Sequence, residues 1–151
     1  MRGRILLFFA TVSLLLAADP NFTGEWKLNP ARSGRNNLPE PAAASLTIEH
    51  HGNTIKCSTG SDHAAAPAAA FSFTTDRKES RYRIGESSRS TIVKWEGDVL
   101  IINTIVNGRG PSYTVMDRWK LSRDGRTLKI ERTVESVNGE AEGNLVYDRV
   151  D

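Results

Sequence analysis

The chain has 151 residues, of which 38% are hydrophobic and 25% are charged, as expected for one globular domain with a modest core. Its formal net charge is only +2, and no basic stripe interleaved with aromatic residues points to nucleic-acid binding. The single cysteine, Cys57, excludes an intramolecular disulfide, so the core alone must stabilise the fold.

Residues 1–18 have the layout of a secretory signal peptide. Arg2 and Arg4 precede the apolar run 5–16, and small residues at 17 and 18 precede Asp19. An uncleaved anchor is the alternative, but the run is shorter than the roughly 18 residues that a membrane span needs. The sequence therefore predicts a secreted or periplasmic domain, 19–151, with no membrane span. Loss of the two arginines leaves 18 basic residues against 18 acidic ones.

The segment 22–28 begins the predicted domain with an alternating strand. Phe22, Gly24, Trp26 and Leu28 fall on one face of it. A glycine two residues before a tryptophan lets backbone come close while the indole closes one end of a barrel. This predicts a closed β-barrel of the kind that holds one small ligand.

Period-2 alternation continues along the chain and predicts an antiparallel meander of about ten strands, with no long helix after the leader. The pairs Asn107-Gly108, Asp124-Gly125 and Asn138-Gly139 indicate tight hairpins between strands, and Glu96-Gly97-Asp98 is a further turn. The predicted strands lie near 22–28, 44–50, 54–60, 69–75, 80–84, 88–96, 98–106, 112–121, 127–135 and 141–149.

Two longer connections interrupt the meander. Residues 29–43 contain three prolines, which disfavour a long helix, although Pro30 can begin a short helical turn. Residues 62–70 are rich in alanine around Pro67. Each is either a plain connector or a lid over a barrel mouth, because long loops in compact domains are often functional.

These features resemble the calycin group, the lipocalins and fatty-acid-binding proteins. The segment 22–28 is similar to their first strand, and Val146-Tyr147-Asp148 is similar to their last. The whole chain also resembles small secreted bacterial lipocalin-like domains, through 22–29, the hairpin 48–53 and the final strand. The resemblance implies an up-and-down barrel, with Gly24 and Trp26 as structural residues that close it.

The resemblance also implies ligand contacts, with two departures. Fatty-acid-binding proteins clamp a carboxylate through Arg-x-Tyr on the last strand; here Tyr147 is present but Leu145 replaces the arginine. Arg118 falls near a second ligand-facing arginine of that family, although alternation places it outward, opposite to Trp119. Arg132 and Arg149 are candidates for the basic residue that lipocalins pack across the first-strand tryptophan.

Arg132 shares the apolar face of its strand with Leu128, Ile130 and Val134. A buried charge needs a partner, so Arg132 should stack on a ring, pair with an acid or meet an anionic ligand. We favour a structural role over Trp26, with ligand binding as the alternative.

The remaining reactive residues do not indicate catalysis. His50, His51, His63 and Asp62 lack the spacing of a metal site and are expected to be polar residues of the surface. No nucleophile elbow or phosphate-binding loop is present. Cys57 lies on the same face as Ile55, which predicts a buried thiol. We therefore expect no enzyme, metal or cofactor.

The sequence favours a monomeric carrier of a small hydrophobic or amphipathic molecule. The alternative is a non-catalytic structural or interaction module of the cell envelope with a filled barrel. A third and weaker option is an enzyme on the same scaffold, with catalytic residues dispersed in the barrel. The candidate ligand contacts are Phe71, Phe73, Tyr82, Val93, Trp95, Arg118, Arg132 and Tyr147, and Ile84 and Ile130 are expected to line the interior with them.

Overall fold

The computed structural model describes residues 19–34, 37–39, 42–60 and 69–151, so the predicted signal peptide lies outside the described residues. The described chain forms ten β-strands and a short 3₁₀ helix, Pro30–Arg32. The strands are β1 (Gly24–Leu28), β2 (Ser45–His51), β3 (Thr54–Gly60), β4 (Ala70–Thr74), β5 (Ser80–Ile84), β6 (Ser87–Glu96), β7 (Val99–Asn107), β8 (Tyr113–Leu121), β9 (Thr127–Ser136) and β10 (Gly139–Arg149).

All ten strands belong to one antiparallel sheet that curls into a nearly closed barrel. The hydrogen-bonded order is β4-β3-β2-β1-β10-β9-β8-β7-β6-β5, so the first strand pairs with the last. β4 and β5 stand at the two ends of this order and contact each other across a seam. The predicted all-β, up-and-down barrel of about ten strands is confirmed, and its strand positions agree with those expected from alternation.

The turns follow the expected chemistry, with two exceptions. Gly97 has a φ of 60° in the two-residue turn between β6 and β7, where the absence of a Cβ removes the steric cost. The prediction of a tight hairpin at Asp124-Gly125 is wrong, because residues 122–126 form a longer loop. The prediction at Asn107-Gly108 is also wrong, because residues 108–112 form a longer loop. Pro111 in that loop has no N–H to donate and a fixed φ, which is incompatible with an immediate return of the strand.

The predicted helical turn after β1 is present. Pro30–Arg32 is a 3₁₀ helix, and the Asn29 side chain accepts a hydrogen bond from the Arg32 backbone N–H at 3.2 Å. No α-helix occurs among the described residues. Over those residues, none of the helices combines the length and apolar character needed to cross a membrane.

The core fills the barrel, because alternate side chains of each strand point inward. We call the end that contains Phe22, Trp26 and the turn 52–53 the closed end. The opposite end, where residues 29–44 join β1 to β2, is the connector end. The main buried cluster consists of Phe22, Trp26, Leu46, Ile48, Ile55, Cys57, Phe73, Val93, Leu100, Ile102, Trp119, Leu128, Ile130, Leu145 and Tyr147.

Candidate functional site

The closed end is built around Trp26, whose side chain is completely buried. The indole Nε1–H donates to the backbone oxygen of Phe22 at 3.0 Å. The guanidinium carbon of Arg149 lies 4.3 Å from the centroid of the Trp26 ring. Arg149 Nη1 donates to the backbone oxygen of Thr23 at 2.6 Å, and Arg149 Nε donates to that of Gly125 at 2.8 Å. Stacking on the ring and hydrogen bonds around it hold this end shut.

Gly24 leaves the space that Arg149 occupies. Its φ is +152°, and a Cβ at this position would collide with Arg149 Nη1. The expectation that Arg132 stacks over Trp26 is wrong, because β10 pairs with β1 and places Arg149, the other candidate, opposite Trp26.

An aromatic layer lies above this end. The Phe22 ring stacks on Trp95 at a centroid distance of 5.8 Å and meets Trp119 edge-on at 5.6 Å. His50 stacks on the same Phe22 ring at 5.9 Å. Such ring pairs stabilise beyond their buried area, so this part of the barrel is a packed core.

The contacts of the two ring nitrogens of His50 favour its neutral form. Nδ1 accepts from the Phe22 backbone N–H at 3.4 Å, and Nε2 lies 3.1 Å from the backbone oxygen of Gly52. An Nε2–H tautomer satisfies both contacts. Burial lowers the pKa of His50 because desolvation disfavours the imidazolium.

A row of hydroxyl groups lines the wall formed by β5, β6 and β7. Thr91 Oγ1 lies 2.8 Å from Thr104 Oγ1, and it donates to the Tyr82 hydroxyl at 3.0 Å. Thr91 is completely buried and Thr104 nearly so. Desolvation raises the pKa of Tyr82, so its hydroxyl keeps its proton at neutral pH.

An ion pair continues this polar wall on β8 and β9. Arg132 Nε and Nη2 donate to the two carboxylate oxygens of Asp117, each at 2.7 Å. The side chains are 22% and 9% exposed respectively. Arg132 therefore pairs with an acid, one of the partners that its place on an apolar face required.

Trp119 carries a polar atom without a partner. Its Nε1 is buried and has no hydrogen-bond acceptor among the described residues, although the residue is only 5% exposed. The ring packs edge-on against Phe73 as well as Phe22, inside the barrel. A buried N–H without an acceptor is destabilising, so this donor fits an acceptor from a bound molecule or water.

The rest of the barrel, from β4 round to β10, is mainly apolar inside and meets the polar wall at the β4–β5 seam. Phe71 on β4 stacks on Tyr82 on β5, with centroids 5.0 Å apart, and also contacts the Phe73 ring at 6.3 Å. One hydrogen bond also crosses the seam, from the Thr74 N–H to Ser80 Oγ at 3.3 Å. Ring stacking therefore closes the barrel where the backbone ladder does not.

Cys57 belongs to this apolar wall and is 4% exposed, as predicted for a buried thiol. Burial raises its pKa to about 12, because the thiolate is poorly solvated there. A concavity of about 390 Å³ lies at β2, β3 and β4. Its lining combines outward residues such as Thr47, Glu49 and Lys56 with Cys57 and Phe71.

The connector packs against the barrel mouth through Leu38. This side chain contacts a second buried cluster, formed by Val106, Val115 and Val134. Gly143 makes the approach feasible, since a Cβ there would lie 2.5 Å from Leu38 Cδ1. Leu38 thus covers part of this end of the barrel, whereas residues 62–68 of the second connector lie outside the described residues.

Tyr147, the residue in the clamp position implied by the resemblance, is tied to this connector. It is 1% exposed, and its hydroxyl donates to the backbone oxygen of Ala43 at 2.9 Å. The connector therefore engages the hydroxyl that a carboxylate ligand would meet in that family.

Arg118 requires a correction. It lies on the outer face of β8, where it pairs with Glu96 at 3.6 Å and Glu131 at 3.9 Å. Alternation predicted this outward direction, and the ligand contact implied by the resemblance does not reach the interior. The other candidate contacts occupy inward positions: Phe71, Phe73, Tyr82, Val93, Trp95, Arg132 and Tyr147.

The expectation that His50 lies at the surface is wrong, because its ring stacks on Phe22 and the residue is only 5% exposed. Sequence reasoning also missed other polar groups of the interior. They are Thr91, Thr104, Asp117 and the Trp119 indole N–H. The signal was available for Asp117, since it shares a strand face with Trp119 and Leu121. No cluster of metal-binding side chains occurs in the described part of the chain, and His63 and Asp62 lie outside it.

No protein-family model matches the sequence, and a search of curated proteins returns no match. Solved structures do match. A zebrafish ileal bile acid-binding protein complexed with cholic acid has a TM-score of 0.61 at 16% identity, over 85% of this chain and 98% of that one. A secretory abundant heat soluble protein from Ramazzottius varieornatus has a TM-score of 0.63 at 14% identity, over 85% and 94%.

A Schistosoma mansoni fatty acid binding protein in complex with arachidonic acid has a TM-score of 0.54 at 15% identity, over 86% of this chain and 96% of that one. None of these three proteins is named as an enzyme. At such low identity the likeness concerns architecture. The chain has a calycin-like fold.

Proposed function

We propose that this protein is a secreted or periplasmic barrel that binds a small hydrophobic or amphipathic ligand in its interior. The mixed lining of that interior carries the proposal. Aromatic and aliphatic side chains face a polar wall made by hydroxyl groups and the Asp117–Arg132 pair. Ligand sites combine a mainly apolar surface with a few placed polar groups in this way.

The connector end supports access to this interior. Tyr82 and Arg132 are both inward-facing yet retain part of their solvent exposure, whereas the Trp26 end is fully buried. A ligand would therefore approach past Leu38 and lie with one end near the aromatic layer.

Two of the similar structures support the ligand class. The molecules bound to them, cholic acid and arachidonic acid, each join a large apolar body to a polar end. A barrel of the same architecture with both kinds of wall suits molecules of that general shape. The secreted or periplasmic location rests on the signal-peptide pattern of residues 1–18 alone.

The second candidate is a structural or interaction module with a filled barrel. The dense aromatic packing around Phe22 and the contact of Leu38 with the valine cluster favour it. Small barrels can be filled by their own side chains.

Native mass spectrometry of the protein purified from its own host, followed by calorimetric titration with a lipid panel, separates the two. A carrier is expected to release a bound small molecule and to bind panel members saturably at micromolar concentration. Absence of both, in protein shown to be folded, would refute the carrier and leave the filled barrel.

A substitution inside the mouth gives an independent test. Ala141 pairs with Val134 and shares its inward face, so Ala141→Trp fills the space between the walls. A carrier should lose at least about tenfold in affinity and remain folded, whereas a filled barrel should lose about 1–3 kcal/mol of stability through overpacking. Glu142→Trp, on the exposed outer face of the same strand, is the matched control.

A further inference from the structure

We propose, on the basis of the function proposed above, that the ligand of this barrel has an uncharged polar end, a hydroxyl or carbonyl group, and is not a free carboxylate. Three observations lead to this specificity. The charge on Arg132 is already matched by Asp117, the hydroxyl groups and the indole N–H nearest to this ion pair are neutral, and these neutral groups flank the ion pair along the sheet.

The ion pair disfavours an anionic ligand. Both carboxylate oxygens of Asp117 receive hydrogen bonds from Arg132 at 2.7 Å, which is the two-point geometry that a ligand carboxylate would need. A bound carboxylate would have to displace Asp117 or lie beside it. Either arrangement leaves a negative charge desolvated next to another one.

The neutral groups suit an uncharged polar end. The indole N–H of Trp119 is buried without an acceptor among the described residues, so it can receive a hydroxyl or carbonyl oxygen. The hydroxyls of Tyr82, Thr91 and Thr104 form a row that both donates and accepts. None of these groups requires a charged partner.

Strand register places these groups together. Asp117 and Trp119 occupy consecutive inward positions of β8, and they pair with Ile102 and Leu100 on β7. Thr104 is the next inward position of β7 on the other side of Ile102. A molecule along the inner wall therefore passes the hydroxyl row, the neutralised ion pair and the indole N–H in turn.

Arg89 is the competing feature. It is the partner of Tyr82 in the β5–β6 ladder and lies on the same inward face as Thr91, nearer the connector end. If the ligand were anionic, Arg89 is the cation that would meet it. The test therefore compares two ligands with the same number of carbon atoms, one ending in an uncharged hydroxyl group and one in a carboxylate.

Calorimetric titration with 1-dodecanol and dodecanoate at pH 8 makes this comparison. Wild-type protein is expected to bind dodecanol at least about tenfold more tightly, because the carboxylate of dodecanoate would lose hydration beside the carboxylate of Asp117, which already holds Arg132. Asp117→Asn removes the charge that neutralises Arg132 and is expected to reverse the order. Glu131→Gln, which removes an outward carboxylate near Arg118, is the matched control and should leave the order unchanged.

Indole resonances in the wild-type protein give a readout that does not depend on the variant's folding. With dodecanol the Trp119 indole proton should shift downfield, whereas the Trp26 indole, which already donates to Phe22, should not move. Dodecane lacks an acceptor and should leave both resonances in place. Trp119→Phe assigns the signal.

The outcomes separate the two proposals. Tighter binding of dodecanoate by wild type, or an unmoved Trp119 indole with dodecanol bound, overturns the uncharged polar end and leaves the carrier function intact. No saturable binding of either compound by folded protein overturns the carrier function, and the ligand preference with it.

Discussion

Most buried polar side chains in this protein are held by specific hydrogen-bond or ion-pair partners. At the closed end, Arg149 covers Trp26, and His50 accepts a hydrogen bond from the backbone N–H of Phe22. In the middle, Asp117 and Arg132 satisfy each other. Since buried polar groups are costly when unpaired, the indole N–H of Trp119 stands out against this pattern.

Gly24→Ala should destabilise the closed end. The new Cβ would strike the guanidinium of Arg149 and would require an unfavourable φ, so we expect a loss of about 2 kcal/mol. Equilibrium unfolding in urea measures it. Gly110→Ala is the matched control, because nothing lies within 4 Å of a Cβ at that position and its φ is ordinary. Equal stability of the two variants would contradict the close fit of Gly24 and Arg149.

His50 should make stability depend on pH. Its pKa is lowered in the folded protein by desolvation, so the unfolded chain binds the proton more readily. The free energy of unfolding is therefore expected to have its maximum value above the ordinary histidine pKa of about 6.5 and to decrease as the pH falls below it. Urea unfolding between pH 7.5 and 5 measures this slope.

His50→Leu should flatten that part of the profile, although its stability at pH 7.5 falls through loss of the Phe22 hydrogen bond. The titratable groups that act on His50 electrostatically are Asp19 and His51. His51→Leu, at an exposed position, is the control and should keep the wild-type slope. The same slope in all three proteins would assign the acid sensitivity to other groups.

At the scale of elements, the seam between β4 and β5 is the place where the barrel depends on side chains. Elsewhere, neighbouring strands share continuous backbone ladders, such as those of β6, β7 and β8. Across the seam, the Phe71–Tyr82 stack and the Thr74–Ser80 hydrogen bond take over this role. Opening of the seam therefore needs only local rearrangement.

Phe71→Ala should loosen this seam. Loss of the stacked ring is expected to cost about 2 kcal/mol, less than for a fully buried phenylalanine, because Phe71 is only partly buried. Native-state hydrogen exchange should show faster exchange of β4 and β5 amides, with β8 and β9 little changed. Ser72→Ala, on the outer face of β4, is the control. Uniform acceleration over all strands would instead indicate global destabilisation.

At the scale of the whole molecule, one sheet closes around one core, and that core contains the single cysteine of the chain. The Cys57 thiol is buried with its pKa raised to about 12. Its reactivity should therefore report cooperative opening of the barrel.

Alkylation of Cys57 by iodoacetamide at pH 8 should be slow in the native protein. With a pKa near 12, only about 1 in 10,000 thiols is ionised at that pH, and access is blocked as well. Mass spectrometry measures the rate of labelling, and tryptophan fluorescence measures the fraction of unfolded protein. Both should increase in parallel as the urea concentration rises. Rapid labelling in the absence of urea would show that the apolar wall opens locally.

Much of the fold was predictable because a half-buried β-strand requires apolar and polar residues to alternate along the sequence. Period-2 alternation located the strands, and it placed Arg118 outward and Arg132 inward as the structure has them. The hairpin error at Asn107 has a local cause too, since Pro111 outweighs the turn preference of the Asn-Gly pair.

The amino-acid sequence by itself determined the all-β class, the strand positions and the inward face of each strand, because these depend on neighbours two residues apart. Only the tertiary structure decided which arginine covers Trp26, which acid pairs with Arg132, and which two neighbouring strands lack a backbone ladder. Those choices depend on the pairing of β1 with β10 and on the register of β8 with β9, which join residues far apart in the chain. Whether the interior holds a ligand follows from the same long-range pairings, since they bring the hydroxyl row, the ion pair and the Trp119 indole to one wall.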